Sequence, residues 1–144
     1  MGSVSFTPLT PIICYNEILI NVLVYFKLGL DMYGLTGIQS LDALINPISK
    51  GNIIEIYGDW RIALSISHMA MASLTRYGKV GVVYVQDFGN LDPYFVRKMI
   101  KIFGGNFDNI YISRAFRRYD IPELVKSIEG ISNLILIDPY LFSP

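Results

Sequence analysis

The sequence GNIIEIYGDWRIALSIS, residues 51–67, decides the fold that we predict for this chain. Its apolar run from Ile53 to Tyr57 predicts a buried strand, and the run from Ile62 to Leu74 predicts a helix. Gly58 and Asp59 predict a turn between the two. A strand that leads through a glycine turn into a helix is the geometry of phosphate-binding loops, because the first backbone N–H groups of the helix are free to bind an anion.

The loop residues depart from the phosphate-binding pattern. When G-x-x-x-x-G-K-S/T is started at Gly58, its second glycine falls on Ala63 and its lysine on Leu64, and only Ser65 agrees. The lysine of such a loop places a positive charge against the phosphates, and hydrogen bonds to charged groups contribute about 1.5–3 kcal/mol each. Because leucine donates none, the sequence predicts a phosphate-loop scaffold without its chemistry.

Large side chains also stand where such a loop needs small residues to close on an anion. We predict that Trp60 and Leu64 fill the space of a nucleotide, with Arg61 as an alternative cation if nucleotide binding persists. We expect no cofactor. The vestigial phosphate loop, expected to be empty, comprises Gly58, Asp59, Trp60, Arg61 and Ser65.

Length and composition limit the class of protein. The 144 residues suffice for one domain with a real core, and 52% of them are hydrophobic. Twelve basic and twelve acidic residues give no net charge, so no overall field attracts nucleic acid or acidic lipid. Cys14 is the one cysteine, which suits a reducing compartment. The apolar run Ile18 to Phe26 is shorter than the roughly 20 residues that cross a bilayer, and residues 1–9 do not read as a signal peptide.

Strands and helices alternate along the rest of the chain, which predicts an α/β fold with a mainly parallel sheet. A turn at Gly34 precedes a short helix ending at Pro47, for which Ser40 is the expected cap. The helix that begins at Pro93 is expected to be capped by Asp92. Its inward side chains are expected to be Phe95, Met99 and Ile102. The remaining predicted elements are a helix from 62 to about 76, strands at 80–86, 109–113 and 134–137, and a helix at 121–128.

The N-terminal part of the chain is predicted to be distinct from this core. Residues 1–33 are predicted to form an extended arm and an apolar helix, and residues 34–144 a shortened core. The helical spacing of apolar residues in 15–30 favours a helix, with Asn16 as its cap. Their β-branched and aromatic content suits a buried strand equally well, and this alternative stays open.

Two further residues have the chemistry of a site. Asp138 ends the apolar strand LILID, where phosphate-loop proteins hold Mg²⁺. An aspartate before a proline is also a common turn residue, so we interpret Asp138 as vestigial and expect no metal site. His68 is the one histidine and lies within an apolar helix, so we expect a packed or surface residue rather than a catalyst. With one histidine and one cysteine, no zinc site is expected.

Cations are concentrated between residues 97 and 118, where aromatic residues are interspersed. Such a region is a possible surface for nucleic acid or an acidic partner. The competing interpretation is a solvated helix face followed by an ordinary loop, which the neutral charge of the whole chain favours. The cations concerned are Arg97, Lys98, Lys101, Arg114, Arg117 and Arg118.

The order of these motifs resembles the RadA/RecA strand-exchange ATPases, most closely archaeal RadA and its paralogues. The resemblance covers residues 34–140 and rests on LTGIQSLDALI at 35–45, KGNIIEIYGD at 50–59, VVYVQDFGNLDPYFV at 82–96 and NIYISRAF at 109–116, with LVKSI and LILID beyond. TGIQSLD and IYISRAF are the specific pieces. The resemblance implies a three-layer RecA-like phosphate-loop fold with a shortened core.

The departures from that family bear on function. Phe88 stands where the family carries its catalytic glutamate, and Asp92 where it carries an arginine associated with the adenine, whereas Gly89 and Pro93 match. Together with Leu64, these differences argue against ATP hydrolysis. The arm from Ser5 to Leu9 is similar to the family's phenylalanine-containing segment that adds a strand to a neighbour's sheet.

The chain ends just after the strand that carries Asp138. The family continues with further strands and with loops that hold DNA. One of those strands normally lies between the phosphate-loop strand and the Asp138 strand, so its absence predicts a gap. We expect the sheet to rearrange, residues 15–28 to cover the gap, or a second chain to do so.

The resemblance therefore implies a catalytically inactive, cytoplasmic RadA/RecA-like paralogue. It would bind a recombinase, another RecA-fold protein or itself in DNA repair and homologous recombination, without contact with membranes. The alternatives are a divergent nucleotide-binding ATPase that uses Arg61 and Asp138, and a nucleic-acid-binding module that uses the basic 97–118 region.

Overall fold

The computed structural model describes residues 5–7, 19–26, 35–45, 53–85 and 91–139. They form six strands and four α-helices, with short 3₁₀ turns at Thr75–Tyr77, Phe107–Asn109 and Arg118–Asp120. The elements in chain order are β1 Ser5–Thr7, β2 Leu19–Phe26, α1 Gln39–Ile45, β3 Ile53–Asp59, α2 Trp60–Leu74, β4 Lys79–Tyr84, α3 Pro93–Phe103, β5 Ile110–Arg114, α4 Ile121–Ser127 and β6 Ile131–Ile137.

The six strands form one sheet in the order β1-β3-β2-β6-β4-β5. Strands β6, β4 and β5 pair in parallel. Strand β3 pairs antiparallel with β1 and β2, and β2 pairs antiparallel with β6. The α/β class is therefore confirmed, but only the β6-β4-β5 part has the predicted parallel pairing. Because β2 opposes both of its neighbours, β3 runs in the same direction as β6, and their carboxyl ends lie at one edge.

Strand β2 lies between β3 and β6, in the position where the resemblance implies a gap. Val24 is opposite Ile54 on one side and Ile135 on the other. The favoured helix is therefore wrong for residues 19–26, and the alternative of a buried strand is confirmed. The expectation that residues 15–28 cover the gap is confirmed for the part that β2 spans. A strand does this because it pairs backbone groups of β3 and β6, which a helix cannot do.

Helices cover both faces of the parallel part of the sheet. On one face, α2 packs over β2, β3, β4 and β6, and α3 packs on α2. On the other face, α4 packs over β4, where Leu124 and Val125 contact a small cluster of Val83, Val85 and Ala115. Residues along β4 therefore alternate between two apolar environments, which explains the continuous apolar sequence of that strand.

Helix α3 begins and ends where its sequence signals predict. The Asp92 carboxylate accepts hydrogen bonds from the backbone N–H groups of Tyr94 and Phe95, both at 3.1 Å. Pro93 occupies the first turn, where its missing N–H has no cost. At the other end, Gly104 has a φ of 81°, which glycine adopts readily.

The inward face of α3 differs from the prediction. Val96 and Ile100 are buried, whereas Ile102 is 65% exposed. Phe95 and Met99 are half-buried at the margins. The physical reason is that α3 packs against α2 along one narrow stripe rather than lying flat on the sheet, so the third predicted inward position faces away.

Candidate functional site

The junction between β3 and α2 has no loop. Strand β3 extends to Asp59 and α2 begins at Trp60, two residues earlier than the sequence predicts. Gly58 has a φ of 148°, a conformation that favours glycine. A phosphate loop needs several residues between strand and helix so that their N–H groups can surround an anion. Here the chain passes from strand to helix directly.

A carboxylate of the chain itself occupies the start of α2. Asp59 Oδ1 accepts a hydrogen bond from the Arg61 backbone N–H at 2.9 Å, and the Arg61 guanidinium approaches both carboxylate oxygens at 3.4 Å. The hydrogen bond from the Arg61 side chain is the main reason that the pKa of Asp59 is lowered. A negative charge at this helix terminus is favourable for the fold and unfavourable for a second anion.

The other residues of the predicted phosphate loop belong to α2, where they pack in the core or form hydrogen bonds within the helix. Ala63 and Leu64 are buried in the main core, and Trp60 packs against it. Ser65 is exposed, and its hydroxyl donates to the Arg61 carbonyl at 2.7 Å. A shallow depression of about 290 Å³ lies beside them, bounded by Trp60, Leu64, Ser65, His68 and Phe95 among others.

Asp138 lies at the same edge of the sheet, beyond the end of β6. It is 4% exposed and has a φ of 56°, a left-handed conformation that aspartate tolerates better than most residues. Strand β2 separates it from Asp59. The structure thus places Asp138 in a turn, and no cluster of three or more metal-ligating side chains occurs among the described residues.

His68 joins α2 to the start of α3, a role that its sequence context does not reveal. The residue is 4% exposed. Nδ1 lies 2.7 Å from the Leu64 carbonyl oxygen, and Nε2 accepts the Asp92 backbone N–H at 2.9 Å. Because a carbonyl can only accept and an amide N–H can only donate, these contacts require a neutral imidazole with its proton on Nδ1.

Acidification is expected to weaken the fold through His68. Burial lowers its pKa below the ordinary 6.5, more than the Leu64 carbonyl and the Asp92 carboxylate raise it. As pH falls below about 6.5, the unfolded chain takes up a proton before the folded chain does, so stability is lost until pH passes the folded pKa. Urea unfolding between pH 8 and pH 5 measures this, with His68→Gln as the control. If the free energy of unfolding of the wild type increased relative to that of His68→Gln as the pH falls, the expectation would be contradicted.

The TGIQSLD motif forms a closed hydrogen-bonded turn before α1. The Asp42 carboxylate accepts from the Thr36 backbone N–H at 2.8 Å, the Thr36 hydroxyl at 2.7 Å and the Gly37 backbone N–H at 3.0 Å. The Thr36 hydroxyl oxygen accepts from the Ile38 N–H at 3.1 Å. Ser40 is exposed inside α1, so its predicted role as cap is wrong. Asp42, in the first turn of α1, instead holds the turn that precedes the helix.

Asp42→Ala is expected to lower the free energy of unfolding by about 2–3 kcal/mol. The substitution removes three charge-assisted hydrogen bonds, and it leaves polar groups of the buried Thr36 without an acceptor. Chemical denaturation measures the change. Ser40→Ala in the same helix is the control and is expected to change stability by less than about 0.5 kcal/mol. Equal effects of the two substitutions would contradict the assigned role of Asp42.

The cations of the 97–118 region lie on different elements. Arg97, Lys98 and Lys101 are exposed on α3, and Arg114 is exposed at the end of β5. Arg117 pairs with Asp120 at 3.2 Å, which raises the pKa of the arginine. Arg118 begins a 3₁₀ turn. The Arg97, Arg114 and Arg117 guanidinium groups each lie over an aromatic ring, at 4.7, 5.2 and 5.1 Å from the ring centroid.

Several predicted features lie wholly or partly outside the described residues, among them the Asn16 cap, the turn at Gly34 and the helix end at Pro47. Phe88, at the position of the family's catalytic glutamate, is another. Of the arm from Ser5 to Leu9, residues 5–7 form β1 and pair with β3 of the same chain. Asp92, at the position of the family's arginine, caps α3.

Comparison with known proteins gives no further assignment. No family model matches the chain, and neither the curated proteins nor the solved structures contain a match. Within the described ranges, every helix falls short of the length and apolar character needed to span a bilayer.

Proposed function

We propose that this protein is a catalytically inactive RadA/RecA-like paralogue that acts by binding other proteins. Its partner in this proposal is a recombinase, another RecA-fold protein or a second copy of the chain. The complex would act in the cytoplasm, in DNA repair by homologous recombination. The sequence motifs TGIQSLD and IYISRAF support the relationship. The direct passage from β3 into α2 supports the loss of activity.

The observation that carries this proposal is the Asp59 carboxylate at the start of α2. A triphosphate bound there would meet a fixed negative charge 2.9 Å from one of the N–H groups it would need. The Arg61 guanidinium already forms an ion pair with that carboxylate, so it is a poor substitute for the lysine of a phosphate loop. Leu64 is buried in the main core, and its side chain has no group that could donate to a phosphate.

Equilibrium binding of a fluorescent ATP analogue with Mg²⁺ tests the inactive part of the proposal. We expect binding weaker than about 1 mM, which corresponds to less than about 4 kcal/mol. Asp59→Asn provides the matched comparison, since it removes the competing charge and keeps a side-chain oxygen that can cap α2. Saturable micromolar binding by the wild-type protein would overturn the proposal and favour the divergent ATPase.

A strand-exchange assay with the recombinase from the same cells tests the partner. We expect the protein to change the rate of strand exchange or the length of recombinase filaments at stoichiometric concentration, without adding ATPase activity of its own. Light scattering of the protein alone tests self-association in parallel. A monomer that leaves both the rate and the filaments unchanged would remove the proposed role in recombination.

A further inference from the structure

An apolar cleft opens between α3 and the strands β4 and β5. Its volume is about 410 Å³, within the range of about 300–1,000 Å³ that is usual for small-molecule sites. The cleft exists because α3 packs on α2 and is held away from β5, the last strand of the described sheet. Its walls include Met71, Tyr84, Val96, Phe107, Ile110 and Ile112.

The polar groups at one end of the cleft are already satisfied. His68 and Asp92 both line it, but the imidazole nitrogens contact the Leu64 carbonyl and the Asp92 N–H. The Asp92 carboxylate caps α3. The rest of the wall is largely aliphatic and aromatic. A cavity of this kind holds water poorly and favours an apolar occupant.

One cation lies beside the Phe107 part of the cleft wall. The Arg97 guanidinium lies over the Phe107 ring, 4.7 Å from its centroid, and Phe107 is part of the cleft wall. Arg97 is exposed, and its charge has no ion-pair partner among the residues that the structure describes. The half-exposed Ile112 leaves the cleft accessible from the open edge of β5.

We propose that this cleft binds a small organic anion whose aromatic or branched aliphatic body fills the space between α3 and β5, with its carboxylate, sulfonate or phosphate at Arg97. Apolar burial provides most of the affinity, and Arg97 provides a charge-assisted contact that selects anions. The cleft adjoins the depression at the β3–α2 junction at His68 and Asp92, but the proposed binding does not depend on the function proposed above.

Titration with 1-anilinonaphthalene-8-sulfonate, an aromatic monoanion, tests the proposal. We expect saturable binding of one molecule per chain with increased fluorescence. Two-dimensional amide NMR of the same complex is expected to shift the backbone signals of residues 96, 107, 110 and 112. Binding without saturation, or shifts confined to residues outside the cleft, would overturn the proposal without any substitution.

Two pairs of variants separate the cleft from general surface adsorption. Arg97→Glu is expected to weaken binding at least tenfold, whereas Lys126→Glu on α4 is expected to leave it unchanged. Ile112→Asp is expected to weaken binding, whereas Tyr111→Asp is not, because Tyr111 lies on the opposite face of the same strand. N-phenyl-1-naphthylamine, which lacks the sulfonate, is expected to bind Arg97→Glu and wild type equally. Equal binding of the anion by both members of either pair would contradict the proposal.

Discussion

Val24→Asp is expected to abolish folding. Val24 is fully buried at the centre of β2, opposite Ile54 of β3 and Ile135 of β6, and all three side chains belong to the main core. An ionised carboxylate at this position would have no partner charge and no water, a cost of several kcal/mol. Domains of this size have a total stability of about 5–15 kcal/mol. Far-ultraviolet circular dichroism and urea unfolding measure the loss.

Two controls distinguish burial in the sheet from a general effect of the substitution. Val24→Ala keeps the site apolar and removes two methyl groups, so it is expected to fold with a loss of about 2 kcal/mol. Ile112→Asp introduces the same charge on the edge strand β5, where the side chain is 50% exposed, and is expected to fold. Amide hydrogen exchange across residues 19–26 provides an independent measurement. A folded Val24→Asp variant with rapid exchange in this segment would contradict the placement of β2.

The placement of β2 illustrates what local sequence can and cannot predict. The apolar residues between 18 and 26 fit a helix and a strand almost equally well, so periodicity alone does not decide between them. The decision depends on β3 and β6, which lie 27 or more residues away in the sequence and leave backbone groups to be paired. Helix α3, by contrast, was predictable because Asp92, Pro93 and Gly104 are local signals that fix both of its ends.

The candidate site also has features that the local sequence predicts and features that it does not. The absence of a lysine at position 64 can be read directly from the sequence, because it concerns the identity of a single residue, Leu64. The capping of α2 by Asp59 depends on where the helix begins, and element boundaries are only weakly encoded by propensity. The contact between His68 and the Asp92 N–H joins residues 24 positions apart. A lone histidine in an apolar helix gives no signal that it supports the start of another helix.

Gly37→Ala is expected to destabilise the protein by about 2–5 kcal/mol, the second-largest effect that we predict. The φ of Gly37 is 79°, and a left-handed conformation costs other residues about 1–2 kcal/mol. An added Cβ would also lie 2.4 Å from two ring atoms of Phe103, and overpacking of this kind costs about 1–3 kcal/mol. The TGIQSLD turn therefore lies so close to the end of α3 that the Phe103 ring would have to shift to accommodate any side chain at position 37.

Gly104→Ala is the matched control for the packing contribution. Gly104 has nearly the same φ, 81°, but an added Cβ would meet nothing within 4 Å. It is expected to lose only the conformational part, about 1–2 kcal/mol, so the difference between the two variants measures the contact with Phe103. Phe103→Leu, which replaces the ring by a smaller side chain, is expected to reduce the effect of Gly37→Ala in a double-mutant cycle. Equal losses in both glycine variants, with no coupling to Phe103, would show that the turn and α3 do not pack as closely as the structure places them.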